Sequence, residues 1–276
     1  MDDRTHDERH AAACAVFDGF TAGAGDAERA ARAMTRRLGA LGTFAFDVVL
    51  GDVWARPQLG RRDRSLVVVS VLAAIGSTEE LSFHVEAGLN NGLTRTEIEE
   101  VLLTVAVYAG YPMAISASRV VDAKFCALDG VERLPEREPG AHTGDAERRV
   151  AAADVRRTLT AGRAAADPDV DLAALVERLG EVGRIAYHWA FGDVWSRTQL
   201  SRRDRSVAVI AILTVLGLAD ELAFHVPVGL NHGLSRTEVE EVMVQMTIYG
   251  GVPRAVEGVR AMRAAFDRID ARAAPQ

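Results

Sequence analysis

The fold is decided by GDVWARPQLGRRDRSLVVVSVLAAIG at residues 51–76, which returns as GDVWSRTQLSRRDRSVAVIAILTVLG at residues 192–217. The two copies continue in register, and more than half of the positions in residues 51–112 are identical to their counterparts in residues 192–253. Upstream the match is weaker and slips by two residues. Chance does not produce this level of identity, so the sequence predicts two copies of one module in tandem.

The join between the copies falls near residues 128–145, where proline, glycine and charged residues collect. We therefore predict a first module at residues 1–130, a linker at residues 131–145 and a second module at residues 146–276.

Each module has the patterns of helices. Residues 63–76 are apolar nearly all round, which is typical of a buried helix. Residues 80–89 predict a second helix, stopped by Asn-Asn-Gly. Thr94 and Glu97 form a capping box that begins a third helix, which runs to about Tyr108. Because no stretch shows sustained alternation of polar and apolar residues, the predicted fold class is all-α.

Two further features concern the helices of the second module. Residues 172–189 predict one amphipathic helix in its N-terminal part. Pro227 replaces Glu86 of the first copy, and inside a helix it should bend the chain just after His225.

Composition excludes several classes of protein. The 276 residues carry 39 acidic and 32 basic side chains, a net charge of −7, which argues against a nucleic-acid partner. The longest apolar run, residues 66–75, is too short to span a bilayer. The polar start MDDRTHDERH does not resemble a signal peptide. Cys14 and Cys126 are isolated, as expected of a reduced cytoplasmic protein.

The candidate catalytic residues are Glu80 with His84, repeated as Glu221 with His225. Four residues apart on a helix, each pair shares a face, and its apolar neighbours predict that part of it is desolvated. A carboxylate raises an imidazole pKa and desolvation lowers it, so the two together would place the histidine pKa near neutrality. The alternative is a helix-face ion pair. We predict no metal site here, because each pair supplies only two ligands.

Two arginines are candidate substrate-binding residues. Arg64 and Arg205 lie at the start of the buried helix of each copy, where a guanidinium could clamp a substrate carboxylate. The alternative is an ion pair with the neighbouring Asp63 or Asp204.

Four aromatic residues are also candidates. Trp54 and Trp195 end the GDVW motifs, where they could line a ligand pocket or anchor the core. Tyr108 and Tyr249 lie at a helix end before glycine, where they could donate to a substrate or only pack.

These motifs together resemble the carboxymuconolactone decarboxylase family, within the wider group that includes the AhpD-like alkylhydroperoxidases. The matching run is GDVW-x-R-x-QL, RRDRS, EL-x-FHV, GLN-x-GL-[TS]-RTE and Y-x-G-x-P, in both copies. The resemblance implies an all-helical fold whose modules assemble as hexamers. A tandem chain would then form a homo-oligomer, either a trimer of two-module chains or a dimer.

The resemblance also separates two branches of this group. The hydroperoxidase branch carries a CxxC before the histidine, and here those positions are Ser77 and Glu80, or Leu218 and Glu221. Without a thiol, thiol–disulfide peroxidase activity is not expected. Decarboxylase-like relatives often carry a histidine four residues before the tyrosine, where this chain has Thr104 or Gln245.

The activity implied by the resemblance is decarboxylation of a carboxylated unsaturated lactone or a related aromatic-derived metabolite, with no cofactor. His84 and His225 would deliver a proton to carbon, the glutamates would orient and charge them, and the arginines would anchor a carboxylate. Three alternatives stay open: an isomerase, cyclase or dehydratase of secondary metabolism, a non-catalytic binding protein, and a chain in which one module is catalytic and the other structural.

Overall fold

The computed structural model describes residues 3–136 and 144–273, and over these ranges every regular element is a helix. The elements of module one are α1 His6–Phe20, α2 Ala27–Leu38, α3 Ala40–Phe44, π1 Ala45–Trp54, α4 Arg61–Ile75, α5 Thr78–Asn90, α6 Arg95–Tyr108 and α7 Tyr111–Asp129. Those of module two are α8 Asp145–Leu159, α9 Pro168–Leu179, α10 Glu181–Ile185, π2 Ala186–Trp195, α11 Arg202–Leu216, α12 Ala219–Asn231, α13 Arg236–Met246, π3 Thr247–Gly251 and α14 Val252–Ala273. The prediction of two all-α modules in tandem is confirmed.

The centre of the molecule is the contact between α4 and α11, one from each module. In α4 every residue from Arg64 to Ala74 is buried, and in α11 every residue from Asp204 to Val215. The all-round apolar pattern of these helices follows from this position, because each is covered by its own module and by the other. Helix α6 packs on α11 and α13 packs on α4, so the two modules share one hydrophobic core.

The local signals of the sequence match the structure at most helix ends. Thr94 with Glu97 forms the predicted capping box, and Ser235 with Glu238 forms its counterpart in the second copy. The prediction of one helix over residues 172–189 is wrong. Gly180, at φ +59°, ends α9 and lets the chain turn into α10 and π2.

Close packing at the GDVW glycines places the two tryptophans. A Cβ on Gly51 would lie 2.6 Å from the carbonyl oxygen of Arg9, and one on Gly192 would collide with that of Arg148. Glycine therefore lets π1 lie directly on α1, and π2 on α8. This contact fixes Trp54 and Trp195, at the ends of the π-helices, within the core.

The predicted linker and the expected absence of a membrane span can be compared with the described helices. Of the predicted linker, residues 137–143 lie outside the described residues, and α8 already begins at Asp145. None of the described helices is both long enough and apolar enough to cross a membrane.

Candidate active site

The first candidate site is built by both modules. Trp54 of π1 and His84 of α5 come from module one, and Tyr249 of π3 comes from module two. The Trp54 Nε1–H donates to the Tyr249 hydroxyl at 2.9 Å, and that hydroxyl lies 3.3 Å from the His84 Nε2. The indole and imidazole rings lie nearly parallel, at 9° and with centroids 6.0 Å apart.

The second candidate site is the reciprocal arrangement. The Trp195 Nε1–H donates to the Tyr108 hydroxyl at 2.9 Å. The Tyr108 ring meets His225 edge-on at 5.3 Å, and Trp195 lies nearly parallel to His225 at 6.2 Å. The sequence singled out these six residues one by one. That the modules exchange their tyrosines was not visible in it, because the two copies offer chemically equivalent partners.

The histidines of both sites are buried and neutral. His84 and His225 are each 7% exposed, and the Nδ1 of each has no hydrogen-bond partner among the described residues. Desolvation lowers the pKa of His84 to about 4, and the charge of Glu80 opposes it only in part. Desolvation likewise lowers the pKa of His225 to about 3. The expectation of a near-neutral pKa is wrong, because burial outweighs the charge of Glu80 at His84, and at His225 burial and the charge of His232 both lower the pKa.

The glutamates lie at the surface rather than against the histidines. Glu80 is exposed, and it accepts a hydrogen bond from the Ser77 hydroxyl at 2.6 Å, which lowers the Glu80 pKa. Glu221 is also exposed. Among the described contacts neither glutamate hydrogen-bonds its histidine. Glu80 therefore acts on His84 through its charge at a distance, whereas the charge that acts on His225 is that of His232.

The tyrosines of the two sites stay protonated. Desolvation raises the pKa of Tyr108 and of Tyr249 above the ordinary value. At neutral pH each site thus holds a neutral imidazole beside a neutral phenol and an indole. Such a site is poor in charge and can only become more favourable to a substrate carboxylate by taking up a proton.

Arg64 joins the two modules. It is fully buried and donates to Glu241 of α13 at 2.7 Å, to the Gln245 side chain at 2.9 Å and to the Arg56 carbonyl at 3.0 Å. Its ion-pair partner is therefore not Asp63, the alternative suggested by sequence proximity. Both terminal nitrogens have protein acceptors, so a substrate carboxylate could reach them only by displacing the Gln245 side chain from one or Glu241 from the other.

Arg205 makes the mirror-image contacts. It is fully buried and donates to Glu100 of α6 at 2.9 Å and to the Thr104 hydroxyl at 3.0 Å. Asp63 and Asp204 bind other arginines, Arg203 and Arg62, across the same interface.

The arginine contacts explain how the tyrosines are positioned. Glu241, Gln245 and Tyr249 follow one another at successive turns of the continuous α13–π3 helix, as Glu100, Thr104 and Tyr108 do in α6. An arginine of the other module holds the first two, and the tyrosine then reaches the tryptophan. Thr104 and Gln245 thus serve as acceptors for the buried guanidinium groups.

His232, which replaces Asn91 of the first copy, is a neighbour of the second site that the sequence analysis did not single out. Its ring lies 5.6 Å from Trp195, and its nitrogens face the hydroxyls of Ser206 at 2.8 Å and Thr158 at 3.2 Å. Desolvation lowers its pKa to about 4. In module one Asn91 takes this position and donates to Ser65 at 3.0 Å.

A set of possible metal ligands lies away from both sites. The ligand atoms of His10, Cys14 and Glu28 lie within 4.8 Å of one another between α1 and α2. In module two Arg149 and Asp169 form an ion pair across the corresponding helices. The histidine and cysteine are four residues apart on α1, a signal that sequence analysis could have noticed.

Comparison with known proteins finds one matching family and two similar relatives of known activity. The model of the carboxymuconolactone decarboxylase family matches residues 40–123 and 180–264, more than half of the chain. A 4-carboxymuconolactone decarboxylase of Acinetobacter baylyi is 43% identical over 75 residues, which are 27% of this chain and 56% of that protein. A nitrosuccinic acid decarboxylase of Metarhizium robertsii is 42% identical over 67 residues, 24% of this chain and 47% of that protein. The chain thus spans about half the length of the curated relatives it matches.

Proposed function

Because the chain belongs to the carboxymuconolactone decarboxylase family, we propose that it is a cofactor-independent decarboxylase of a small carboxylic acid. The observation that carries this proposal is the pair of buried Trp–His–Tyr sites, each with an unpartnered histidine nitrogen. The names of two relatives, a 4-carboxymuconolactone and a nitrosuccinic acid decarboxylase, support it. In both acids an electron-withdrawing group can accept the electrons that CO₂ leaves behind.

The site chemistry suits this reaction. A carboxylate moved beside Trp54 loses its water, which disfavours the charged reactant relative to neutral CO₂. Its charge also raises the pKa of the neighbouring His84, so binding takes up a proton from solvent. When the carbon–carbon bond breaks, its electron pair moves into the acceptor group, and the imidazolium then protonates the carbon. One proton is consumed and one CO₂ is released, so no redox partner is needed.

The other residues have supporting roles in this proposal. The Tyr249 and Tyr108 hydroxyls donate to the developing oxyanion. Glu80 and Glu221 favour the charged imidazole from the surface. Arg64 and Arg205 contribute to substrate binding indirectly, because they position the tyrosines. Direct contact with a substrate carboxylate would require the paired glutamates to move aside.

The test is CO₂ release by the purified full chain from 4-carboxymuconolactone and from nitrosuccinate. We expect release from at least one acid, and its loss in the double variant His84→Ala/His225→Ala. The matched control is His6→Ala, an exposed histidine outside both sites. Full activity of the double variant would refute the assignment. Conversion of substrate without CO₂ release would indicate the isomerase, cyclase or dehydratase alternative.

Assembly and location are part of the same proposal. Large apolar side chains are exposed on α10 and π2, among them Val182, Ile185 and Trp189. Such a surface favours self-association, so we expect a homo-oligomer, most simply a trimer of two-module chains. Light scattering measures this mass directly. Cys14 and Cys126 are free thiols, in keeping with a cytoplasmic protein that acts on a small molecule.

A further inference from the structure

Module two has a groove of about 650 Å³ between α12 and α14. Its lining includes the apolar side chains of Phe224, Pro227 and Ile269. Arg163, Arg268 and Arg272 line it as well. A volume of this size suits a small organic ligand, for which pockets of roughly 300–1,000 Å³ are usual.

The two copies show why the groove is open in module two. Its Pro227 and Ala265 correspond to Glu86 and Lys124 of module one. There the Lys124 ammonium donates to Glu86 at 2.9 Å and bridges α5 and α7, the counterparts of α12 and α14. Replacing both long charged side chains with proline and alanine removes this bridge and leaves the space between the helices empty.

The charge of the groove also differs between the copies. Its three arginines correspond to Ala24, Ala127 and Val131. Among the described residues neither Arg163 nor Arg272 has an ion-pair partner, and Arg268 donates only to a backbone carbonyl, at 3.4 Å. One carboxylate, Asp220, lines the groove, so the arginines outnumber it. A groove lined by both guanidinium groups and apolar side chains suits a ligand with a carboxylate and an apolar body.

The groove lies directly outside the second candidate site. Phe224 is 48% exposed and lines the groove, and its ring also packs edge-on against His225 at 5.1 Å. In module one the Phe20 ring covers His84 at 5.9 Å, whereas its counterpart Leu159 lines the groove. Phe224 is therefore shared between the lining of the groove and the surroundings of the buried His225 imidazole.

We propose that this groove binds a carboxylate-bearing small molecule and is the entrance to His225, so that the two modules are unequal. The binding step stands on the groove itself. Only the identification of the ligand with the substrate rests on the proposed decarboxylase function.

Calorimetric titration of the full chain with 2-naphthoate tests the binding step. We expect one naphthoate per chain, and at least tenfold weaker binding of the uncharged analogue 2-naphthalenemethanol. Arg268→Ala/Arg272→Ala should weaken naphthoate binding at least tenfold. Pro227→Glu/Ala265→Lys, which installs the ion pair of module one, should do the same. The matched control Glu86→Ala/Lys124→Ala should leave affinity and stoichiometry unchanged.

The proposal is overturned if the native chain does not bind naphthoate, or if the arginine variant binds it as the native chain does. That variant changes exposed side chains, so it keeps the test decisive if the proline variant does not fold. CO₂ assays separate the two proposals. With a working substrate, Arg268→Ala/Arg272→Ala should raise KM and leave kcat unchanged. Naphthoate binding without CO₂ release would refute the decarboxylase proposal and leave the groove as a binding site. CO₂ release with an unchanged KM in the arginine variant would refute the groove as the entrance to His225.

Discussion

Glu241→Gln should destabilise the whole molecule, because it leaves a buried arginine without its counter-charge. The Arg64 side chain is 0% exposed and that of Glu241 is 4% exposed. Removing one partner of a buried ion pair costs about 3–5 kcal/mol. Arg56, which also binds Glu241, is 29% exposed and can be hydrated by solvent. The loss of this second ion pair should therefore add less than about 1 kcal/mol. Glutamine keeps the size of the side chain and one hydrogen-bond acceptor, so we expect a destabilisation at the lower end of this range, about 3 kcal/mol.

Urea unfolding followed by tryptophan fluorescence measures this loss. The control is Asp270→Asn, which breaks the exposed pair with Arg236 and should cost less than about 1 kcal/mol. Adding Arg64→Met to Glu241→Gln should restore much of the stability, since no buried charge then remains. The reasoning is wrong if the free energy of unfolding of the Glu241→Gln variant lies within about 1 kcal/mol of that of the native chain. It is also wrong if adding Arg64→Met destabilises the variant further.

The same substitution should affect the first candidate site. Glu241 holds the helix that delivers Tyr249 to Trp54 and His84. Its loss should therefore reduce the contribution of this site to activity, while the site around His225 keeps its own clamp through Glu100. An equal effect of Glu241→Gln on both sites, resolved in His84→Ala and His225→Ala backgrounds, would contradict this positioning role.

Three further predictions concern protonation and packing. The folded pKa values of His84 and His225, about 4 and about 3, lie below the ordinary 6.5. Between these limits the unfolded chain binds protons that the folded chain does not. The contribution of each histidine to the free energy of unfolding is therefore complete above pH 6.5, and it falls on acidification by about 1.4 kcal/mol per pH unit. Urea titrations at pH 7 and pH 5 should show a smaller fall in the free energy of unfolding for His84→Gln/His225→Gln than for the native chain. Tyr249→Phe leaves a buried indole N–H without its acceptor and should cost about 1–3 kcal/mol, measured by thermal unfolding. Gly51→Ala puts a methyl group 2.6 Å from a carbonyl oxygen and should cost about 1–3 kcal/mol in urea, whereas Gly60→Ala, with open space around it, should cost far less.

Much of the fold was predictable because its signals are local. The capping boxes at Thr94 and Ser235, and the buried helices α4 and α11, follow from residues three or four positions apart. The error over residues 172–189 has the opposite origin. An amphipathic pattern continues across Gly180, but the backbone turns there.

The histidine pKa values show why the candidate site was only partly predictable. Glu80 and His84 do share a helix, yet the helix is rotated so that the imidazole enters the core and the carboxylate stays in water. Spacing does not determine that rotation, since it depends on what packs against α5. The direction of the pKa shift is therefore a tertiary property.

The sequence by itself determined a tandem pair of helical modules and the identity of the aromatic, histidine and arginine residues that form the sites. Only the tertiary structure decided that Tyr249 completes the site of His84, that Tyr108 completes the site of His225, and that Arg64 pairs with Glu241. The physical reason is the duplication. Each of these tyrosines and arginines has two chemically equivalent candidate partners, one in each module, and the packing of the two modules against each other selects between them.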